Sequence, residues 1–280
     1  MRTILSIDTS SRYCSLALSD NGKISSVSEL LDRSHTDRVL PMIDVLYRKA
    51  DLSLADTDLV CFAAGPGSFT GVRLAASITQ AIALASNSKV VPIRSSEVLS
   101  ASYLKQNIGN QREIICVQRS RANIFYISAF RCRSDGELDQ IQEDRLFGKL
   151  DGWLKDATQD RDDFVVLGDF PGWFPNEASE RYEGDVIPDA GVMIEIGKRK
   201  HEQNLSVEPE MALTIYVEGD TPWKKITKII LHTKRHVNIA IIGKYVELKD
   251  AYKSLDEALT HGGIDTVSYT HLTLPTNREV

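Results

Sequence analysis

The chain has 280 residues, of which 42% are hydrophobic and 26% are charged, a composition that excludes fibrous and disordered classes. Its formal net charge of -6 offers no basic surface for binding nucleic acid without a partner. The first apolar run reaches Asp8 too early for a signal peptide, and no later run is long enough to span a membrane. We therefore expect a cytoplasmic protein that makes no membrane contact. Its four cysteines lack CxxC spacing, which favours reduced thiols.

The first elements form a β-hairpin followed by a helix. Two apolar runs, ILSIDTS and YCSLALSD, predict strands, and Asn21-Gly22 after the second is a strong hairpin signal. Apolar residues then recur at helical spacing from His35 to Ala50, with Ser34 and Asp37 as a capping pair. Pro41 lies inside this pattern and is expected to kink the helix or to mark the start of its regular part.

A glycine-containing loop separates the next strand from the next helix. The segment GPGSFTGVR follows the apolar run LVCFAA and precedes a helix predicted from about Thr70 to Ala85. That helix is apolar or small almost all round, which is typical of a buried or paired helix. Further on, REIICVQRSRANIFYISAFRC predicts a second hairpin, FVVLGDF a strand, and Gly191 to Gln203 a helix. Two α/β halves in series are predicted, each with a mixed sheet flanked by helices.

Two explanations of the loop follow from its residues. Gly65, Gly67 and Gly71 free the backbone for an approach to phosphate, and the helix that follows presents its positive end to an anion. Alternatively, Pro66 and Gly67 form only a tight turn, Gly71 permits close packing of the helix, and Arg73 pairs with a carboxylate. A glycine-rich loop alone is a weak motif and leaves both explanations open.

The order of these motifs resembles one family. ILSIDTS with YCSLAL, then SHTDRVLPMIDVLYRKA, FAAGPGSFTGVRLAASITQAIALA and ALTIYVEGDTPWKKI are similar to the TsaB (YeaZ) family over residues 1 to about 229. The resemblance implies the α/β fold of the actin, Hsp70 and sugar-kinase (ASKHA) superfamily, with two ribonuclease-H-like subdomains. They would span residues 1–100 and 101–229.

The same resemblance implies a function. TsaB proteins are non-catalytic activating subunits in the synthesis of N6-threonylcarbamoyladenosine at position 37 of tRNA. They pair with TsaD and TsaE, form a homodimer without TsaD, and meet tRNA only through the complex. The resemblance implies no cofactor of the chain's own, with ATP or ADP at the interface of the complex. The alternative function is that of an ATP-dependent phosphotransferase or ATPase of the same superfamily.

Two sets of site residues follow from the resemblance. The partner-binding set lies on the two N-terminal helices and comprises His35, Val39, Met42, Ile43, Leu46, Val72, Ala75, Ala76, Thr79 and Ala83. The vestigial phosphate loop comprises Asp8, Thr9, Ser10, Gly65, Gly67, Ser68, Gly71 and Arg73. We predict no catalytic and no metal-binding residue. The alternative for the partner-binding set is that both apolar stripes pack on the chain's own sheet.

Several departures argue against catalysis. Asp8 is followed by Thr9-Ser10-Ser11 without the glycine of ATP-binding superfamily members, and Ser95 and Leu99 stand where TsaD has two metal-binding histidines. Neither HExxH nor a nucleophile elbow occurs. The polar groups Asp8, Glu97 and Asp169 are interpreted as structural. The family's Asp-Ala-Arg in the second hairpin is replaced by Gln118-Arg119-Ser120, so the role of that hairpin is open.

The C-terminal residues, from about 230 to 280, are interpreted as a chimeric extension. Residues 231–265 resemble the start of the amidotransferase domain of CTP synthase, but no cysteine follows Cys132 to act as its nucleophile. Residues 267–280 resemble a translated adapter sequence, and no regular structure is expected for Ser268 to Val280. The spacing of His232 and His236 suits a metal, but it falls at the junction and is not taken as a site.

Overall fold

A computed structural model describes residues 2–31, 35–109, 112–121, 123–133, 137–150, 152, 154–155, 163–217, 236–238 and 269–271. The chain divides into two compact units, Met1–Val217 and Glu218–Val280. Within the described residues the first unit holds two five-stranded sheets and the second holds a two-stranded one. No helix among these residues is both long enough and apolar enough to cross a membrane.

The first sheet contains the predicted opening hairpin. Its strands are β1 (Thr3–Asp8), β2 (Tyr13–Asp20), β3 (Lys23–Leu30), β4 (Leu59–Gly65) and β5 (Lys89–Arg94), in the order β3-β2-β1-β4-β5. Strands β1, β2 and β3 pair antiparallel, whereas β4 pairs parallel with β1 and β5. Asn21 and Gly22 form the turn between β2 and β3 with φ of 49° and 86°, which suits their strong preference for the left-handed region.

Two helices cover one face of this sheet. Helix α1 spans His35–Ala50, as predicted, and α2 spans Phe69–Ser86, one residue longer at each end than predicted. Pro41 does not mark the start of α1, because the helix begins six residues earlier and runs through it. The predicted cap residue, Ser34, lies outside the described residues. Apolar residues of α1 and α2 form one core with the sheet, where they meet Leu5, Val60 and Phe62.

The second sheet confirms the predicted hairpin and the strand after it. Its strands are β6 (Glu113–Arg121), β7 (Ile124–Cys132), β8 (Leu138–Phe147), β9 (Phe164–Gly168) and β10 (Tyr182–Glu183), in the order β10-β9-β6-β7-β8. Strands β6, β7 and β8 pair antiparallel, and β9 pairs parallel with β6 and β10. The sheet is therefore mixed, like the first.

Further helices among the described residues of the first unit are α3 (Ser95–Gln106), α4 (Asn176–Ser179) and α5 (Ala190–Glu202). The predicted helix from Gly191 to Gln203 is α5, displaced by one residue. It returns to the first sheet, where Met193 and Ile194 pack on the face opposite α1 and α2. Helix α3 lies between the two sheets, because Val98 belongs to the core of the first and Leu99 to the core of the second.

The described cysteines agree with the sequence prediction of reduced thiols. All four are free, and Cys14, Cys61 and Cys116 are buried. Burial raises the pKa of each of these three thiols to about 12. They are therefore neutral, unreactive core residues.

The second unit corrects one prediction. Strand β11 (His236–Asn238) pairs parallel with β12 (Tyr269–His271), so the expectation of no regular structure from Ser268 onward is wrong at residues 269–271. The remaining residues of that range lie outside the described part. The sequence there, VSYTHLT, is rich in β-branched and aromatic residues, which have high strand propensity whatever their origin. Among the described residues of the second unit, β11 and β12 form a two-stranded sheet.

Candidate functional site

The glycine loop, residues 65–73, packs directly on the turn after β1. The Ser68 N–H donates to the Ser10 carbonyl at 2.7 Å, and the Thr9 hydroxyl donates to the Gly71 carbonyl at 2.7 Å. A Cβ on Gly67 would lie 2.4 Å from the Ser10 carbonyl oxygen, and one on Gly71 would lie 1.9 Å from that of Thr9. Both distances are far inside van der Waals contact. These glycines are therefore required by the close approach of the chain to itself.

Gly65 meets a different part of the chain. The Ile215 N–H donates to the Ala64 carbonyl at 2.7 Å, and a Cβ on Gly65 would lie 3.0 Å from the Ile215 carbonyl oxygen. Gly65 also has φ of +114°, a region that side-chain-bearing residues rarely adopt. The segment after α5 thus fixes the beginning of the loop.

Helix α2 starts from this loop with a capped N-terminus. The Ser68 hydroxyl accepts a hydrogen bond from the Gly71 N–H at 3.3 Å, which satisfies one free backbone donor. The Arg73 guanidinium lies 3.4 Å from the centre of the Phe69 ring and 5.3 Å from that of Tyr216. It also donates to the Phe69 carbonyl at 2.7 Å. The described contacts of Arg73 are thus with two aromatic rings and a backbone carbonyl, and none is with a carboxylate.

Asp8 is the buried acid of the site. Its Oδ1 accepts hydrogen bonds from the Ser10 N–H at 2.8 Å and the Ser10 hydroxyl at 2.7 Å. Its Oδ2 is buried without a hydrogen-bond partner. Burial raises the pKa of this carboxyl, although the two bonds from Ser10 and the charge of His35 act in the opposite direction. The environment of Asp8 therefore favours its neutral form.

These contacts do not fit a nucleotide phosphate beside Asp8. The Thr9 and Ser10 carbonyl oxygens lie where a Cβ on Gly71 and Gly67 would stand, and the Ser68 N–H is already bonded to the Ser10 carbonyl. Carbonyl oxygens repel a phosphate, which is bound instead by N–H groups. The structure thus brings together the two predicted parts of the phosphate loop, residues 8–10 and residues 65–71. The Arg73 side chain lies against the Phe69 ring. This arrangement supports the packing explanation of the glycines.

Most of the predicted partner-binding residues are buried within this chain. Nine of them are at most 7% exposed and pack within the chain's own core: Val39, Met42, Ile43, Leu46, Val72, Ala75, Ala76, Thr79 and Ala83. Only His35, at the start of α1, is partly exposed. The apolar stripes were assigned to a partner although α1 and α2 need the same stripes to pack on the first sheet. The nine side chains position the helices and offer no free surface in the described arrangement.

A different set of residues faces outward from these helices. Leu40 and Val45 on α1 are 57% and 58% exposed, and Phe69 and Leu84 on α2 are 70% and 56% exposed. The other exposed positions of α2 are Thr70, Ser77, Ala81 and Ala85, none of which is charged. The uncharged, exposed face of α2 suits contact with another protein, whereas Leu40 and Val45 on α1 lie among exposed charged residues. We call Leu40, Val45, Phe69 and Leu84 the outer helix face.

The other singled-out polar residues have structural partners. Glu97 accepts a hydrogen bond from the Lys200 ammonium at 2.7 Å, and Asp169 accepts one from the Arg119 N–H at 2.9 Å. Ser95 and Leu99 are buried, at 1% and 4% exposure. Among the described residues no three His, Cys, Asp or Glu side chains are grouped as a metal would require. His232 lies outside the described residues.

Two residues of the site were missed in the sequence. Phe69 and Tyr216, which is 63% exposed, flank Arg73 although they are far apart in the chain. For Phe69 a signal exists, since an aromatic residue four positions before Arg73 on one helix face brings ring and guanidinium together. For Tyr216 the sequence contains no such signal, because the position of this residue depends on how the segment after α5 returns to β4.

Comparison with known proteins gives consistent matches over most of the chain. It is 28% identical over 246 residues to "tRNA threonylcarbamoyladenosine biosynthesis protein TsaB" of Haemophilus influenzae, covering 80% of this chain and 97% of that protein. The Escherichia coli protein of the same name is 27% identical over 230 residues, with the same coverage. Residues 26–154 match the family described as "TsaD: tRNA N6-adenosine threonylcarbamoyltransferase".

Two solved structures share the fold. "YeaZ from Pseudomonas aeruginosa" superposes with a TM-score of 0.64 and 25% identity, covering 78% of this chain and 100% of that one. A second structure superposes with a TM-score of 0.66 and with the same identity and coverage. It is described as an uncharacterized protein with similarity to peptidase YEAZ from Pseudomonas aeruginosa.

A short part of the chain matches an unrelated protein. CTP synthase of Pelagibacter ubique is 93% identical over 44 residues, which are 16% of this chain and 8% of that enzyme. CTP synthase of Aquifex aeolicus is 60% identical over 42 residues. The match is confined to a small fragment of the enzyme, as the sequence resemblance predicted.

Proposed function

We propose that this chain, which belongs to the TsaB (YeaZ) family over residues 1 to about 229, is the activating subunit for synthesis of threonylcarbamoyladenosine in tRNA. It has the predicted α/β fold of the ASKHA superfamily, with two mixed sheets flanked by helices. The observation that carries the proposal is the match to 97% of the Haemophilus influenzae protein.

The chain acts in this proposal by binding a catalytic partner. The partner is TsaD, and the contact surface is the outer helix face rather than the buried residues predicted from the sequence. TsaE joins the complex, and a second copy of the chain occupies the same face when TsaD is absent. The support is the set of exposed apolar side chains on two helices that share one core, with no charged residue among the exposed positions of α2.

The chain contributes no reacting group and no cofactor of its own in this proposal. ATP or ADP is bound at the interface of the complex, and tRNA is met only through the complex. The net charge of -6 is in keeping with an indirect contact to tRNA. The complex is cytoplasmic.

No observation favours the alternative of an ATP-dependent phosphotransferase. That activity needs a phosphate close to Asp8, where the glycine loop contacts the Thr9 and Ser10 carbonyls instead. The three glycines are accounted for by packing, so they no longer indicate a nucleotide site.

Copurification with TsaD tests the partner and the surface together. Tagged TsaD should retain the unmodified chain and should retain Leu84→Glu weakly, because a charge without a partner is costly in a desolvated interface. The matched control is Leu205→Glu, which changes an equally exposed leucine, 56% in each case, beyond the end of α5. Equal retention of both variants would remove the outer helix face from the interface, and no retention of the unmodified chain would contradict the proposed partner.

A further inference from the structure

One edge of the first sheet is formed by β3, a long and regular strand. Strand β3 spans eight residues, contains no proline, and pairs with β2 without a register shift. Among the described residues no strand pairs with its other side. Such an edge presents a row of N–H and C=O groups on which a strand of another chain can pair.

The other sheet edges in the described part of the first unit carry features that discourage such pairing. Strand β5 contains Pro92 and exchanges two hydrogen bonds with Val207 through Val90, at 3.0 and 2.7 Å. Four of the ten residues of β8 are charged, and its register with β7 is irregular. Strand β10 has only two residues. Proline, charge, irregular pairing and short length protect an edge strand, whereas residues 24–28 of β3 include neither a proline nor a charge.

The turn between β2 and β3 determines which backbone groups of β3 point outward. A two-residue turn pairs Asp20 with Lys23 through backbone hydrogen bonds, and inward and outward groups then alternate along the strand. The Leu31 N–H, which donates to the Arg12 carbonyl at 2.8 Å, follows the same alternation. Odd-numbered residues therefore bond towards β2. The residues whose N–H and C=O point outward are all exposed, and they are Ile24, Ser26, Ser28 and Leu30.

These outward residues are complementary to a second copy of themselves. In an antiparallel pair of β3 strands centred on Val27, Ile24 faces Leu30 of the second copy. In the same register Ser26 faces Ser28, so every outward residue meets an outward residue and no like charges face each other. The aliphatic pair brings together side chains that are 38% (Ile24) and 57% (Leu30) exposed in one chain. Any other antiparallel register that keeps the alternation leaves Ile24 or Leu30 beyond the end of the other strand.

We propose that β3 is the surface on which a second copy of this chain pairs, so that the first sheets of the two copies become one continuous sheet. The contact has a two-fold axis at Val27, so each hydrogen bond across it occurs twice. It uses backbone groups of β3 and no residue of the outer helix face. The inference therefore goes beyond the proposed function and is tested without TsaD.

A disulfide between two copies tests the register, since Val27→Cys brings two thiols to a non-hydrogen-bonded pair with Cα atoms about 4.5 Å apart. This variant should form a covalent dimer on oxidation with diamide, and reduction should release the monomer. The matched control is Ser25→Cys on the same strand face, because the two copies of position 25 are offset by about 13 Å along the strand. Both variants carry Cys132→Ser, which removes the described cysteine that is not buried. Absence of the Val27→Cys dimer, or equal amounts of dimer from both variants, overturns the proposal.

Sedimentation equilibrium gives a second test that needs no added cysteine. The reference is Leu84→Glu, because that charge weakens any pairing through the outer helix face. Adding Ser26→Pro removes an outward N–H and leaves the bonds to β2 in place, so the dissociation constant of the dimer should rise about tenfold or more. Adding Ser26→Ala keeps the N–H and should leave the dissociation constant unchanged. A reference chain that stays monomeric at every concentration, or a proline variant that dimerises as tightly as the alanine variant, contradicts the proposal.

Discussion

A Cβ atom added to Gly71 would lie 1.9 Å from the carbonyl oxygen of Thr9. The Thr9 hydroxyl donates to the Gly71 carbonyl across the same contact. The first turn of α2 is thus joined to the turn after β1 at a point where only a glycine fits. The loop that resembles a phosphate cradle instead fixes where α2 begins, and with it the orientation of the outer helix face.

Gly71→Ala should destabilise the first unit by about 1–3 kcal/mol or more, because the added methyl group displaces the Thr9 backbone. The free energy of unfolding measured in urea gives the change. Gly172→Ala is the matched control, since no atom lies within 4 Å of its added Cβ and no strained φ is found there. A Gly71→Ala variant as stable as this control would mean that the loop does not pack on the turn as described.

Thr79→Val should leave the first unit as stable as before or more stable. The Thr79 hydroxyl is fully buried and has no hydrogen-bond partner, and valine replaces it with a methyl group of the same shape. Thermal melts of the two proteins check this expectation. A loss of more than about 1 kcal/mol would show that the hydroxyl is paired in the folded chain. Copurification of the variant with TsaD should be unchanged, because the side chain is part of the core.

In the Asp8→Asn variant the free energy of unfolding should depend less on pH than in the unmodified chain. Burial raises the pKa of Asp8 above its ordinary value of 3.8, so the folded chain binds this proton more tightly than the unfolded chain does. The stability linked to Asp8 is therefore fully present below about pH 3.8 and is lost as pH rises through the folded-state pKa. The asparagine variant lacks this loss.

The measurement is the free energy of unfolding of both proteins at a series of pH values. The difference in favour of Asp8→Asn should increase from acid towards neutral pH. A difference that shrinks over this range would mean that the folded chain stabilises the ionised carboxylate instead.

The sequence predicted much of the fold because its local signals agree with its packing. Asn21-Gly22 specified a turn, and the apolar stripe from Val39 to Leu46 specified α1 to the residue. The same stripe could not specify the partner-binding site, since a periodic pattern shows that a helix face is buried without showing what buries it. The contact of Gly71 with Thr9 could not be predicted from local sequence patterns either. It joins residues 62 positions apart, and their distance is set by the pairing of β1 with β4.

Deletion of residues 231–280 should leave the Tm of the first unit and its copurification with TsaD unchanged. The first unit ends at Val217, and the short fragment of CTP synthase carries too little of that enzyme to form a core of its own. Differential scanning calorimetry of the deleted and full chains makes the comparison. A clear fall in the Tm of the deleted chain would show that the C-terminal residues are an integral part of the protein.

The most direct test of the central claim is the amount of threonylcarbamoyladenosine formed in tRNA by TsaD and TsaE with and without this chain. The reaction contains ATP and the threonylcarbamoyl donor, and the modified nucleoside is measured by mass spectrometry after digestion of the tRNA. The amount of product should depend on the chain, should survive deletion of residues 231–280, and should be lowered more by Leu84→Glu than by Leu205→Glu. Equal product with and without the chain would contradict its role as the activating subunit.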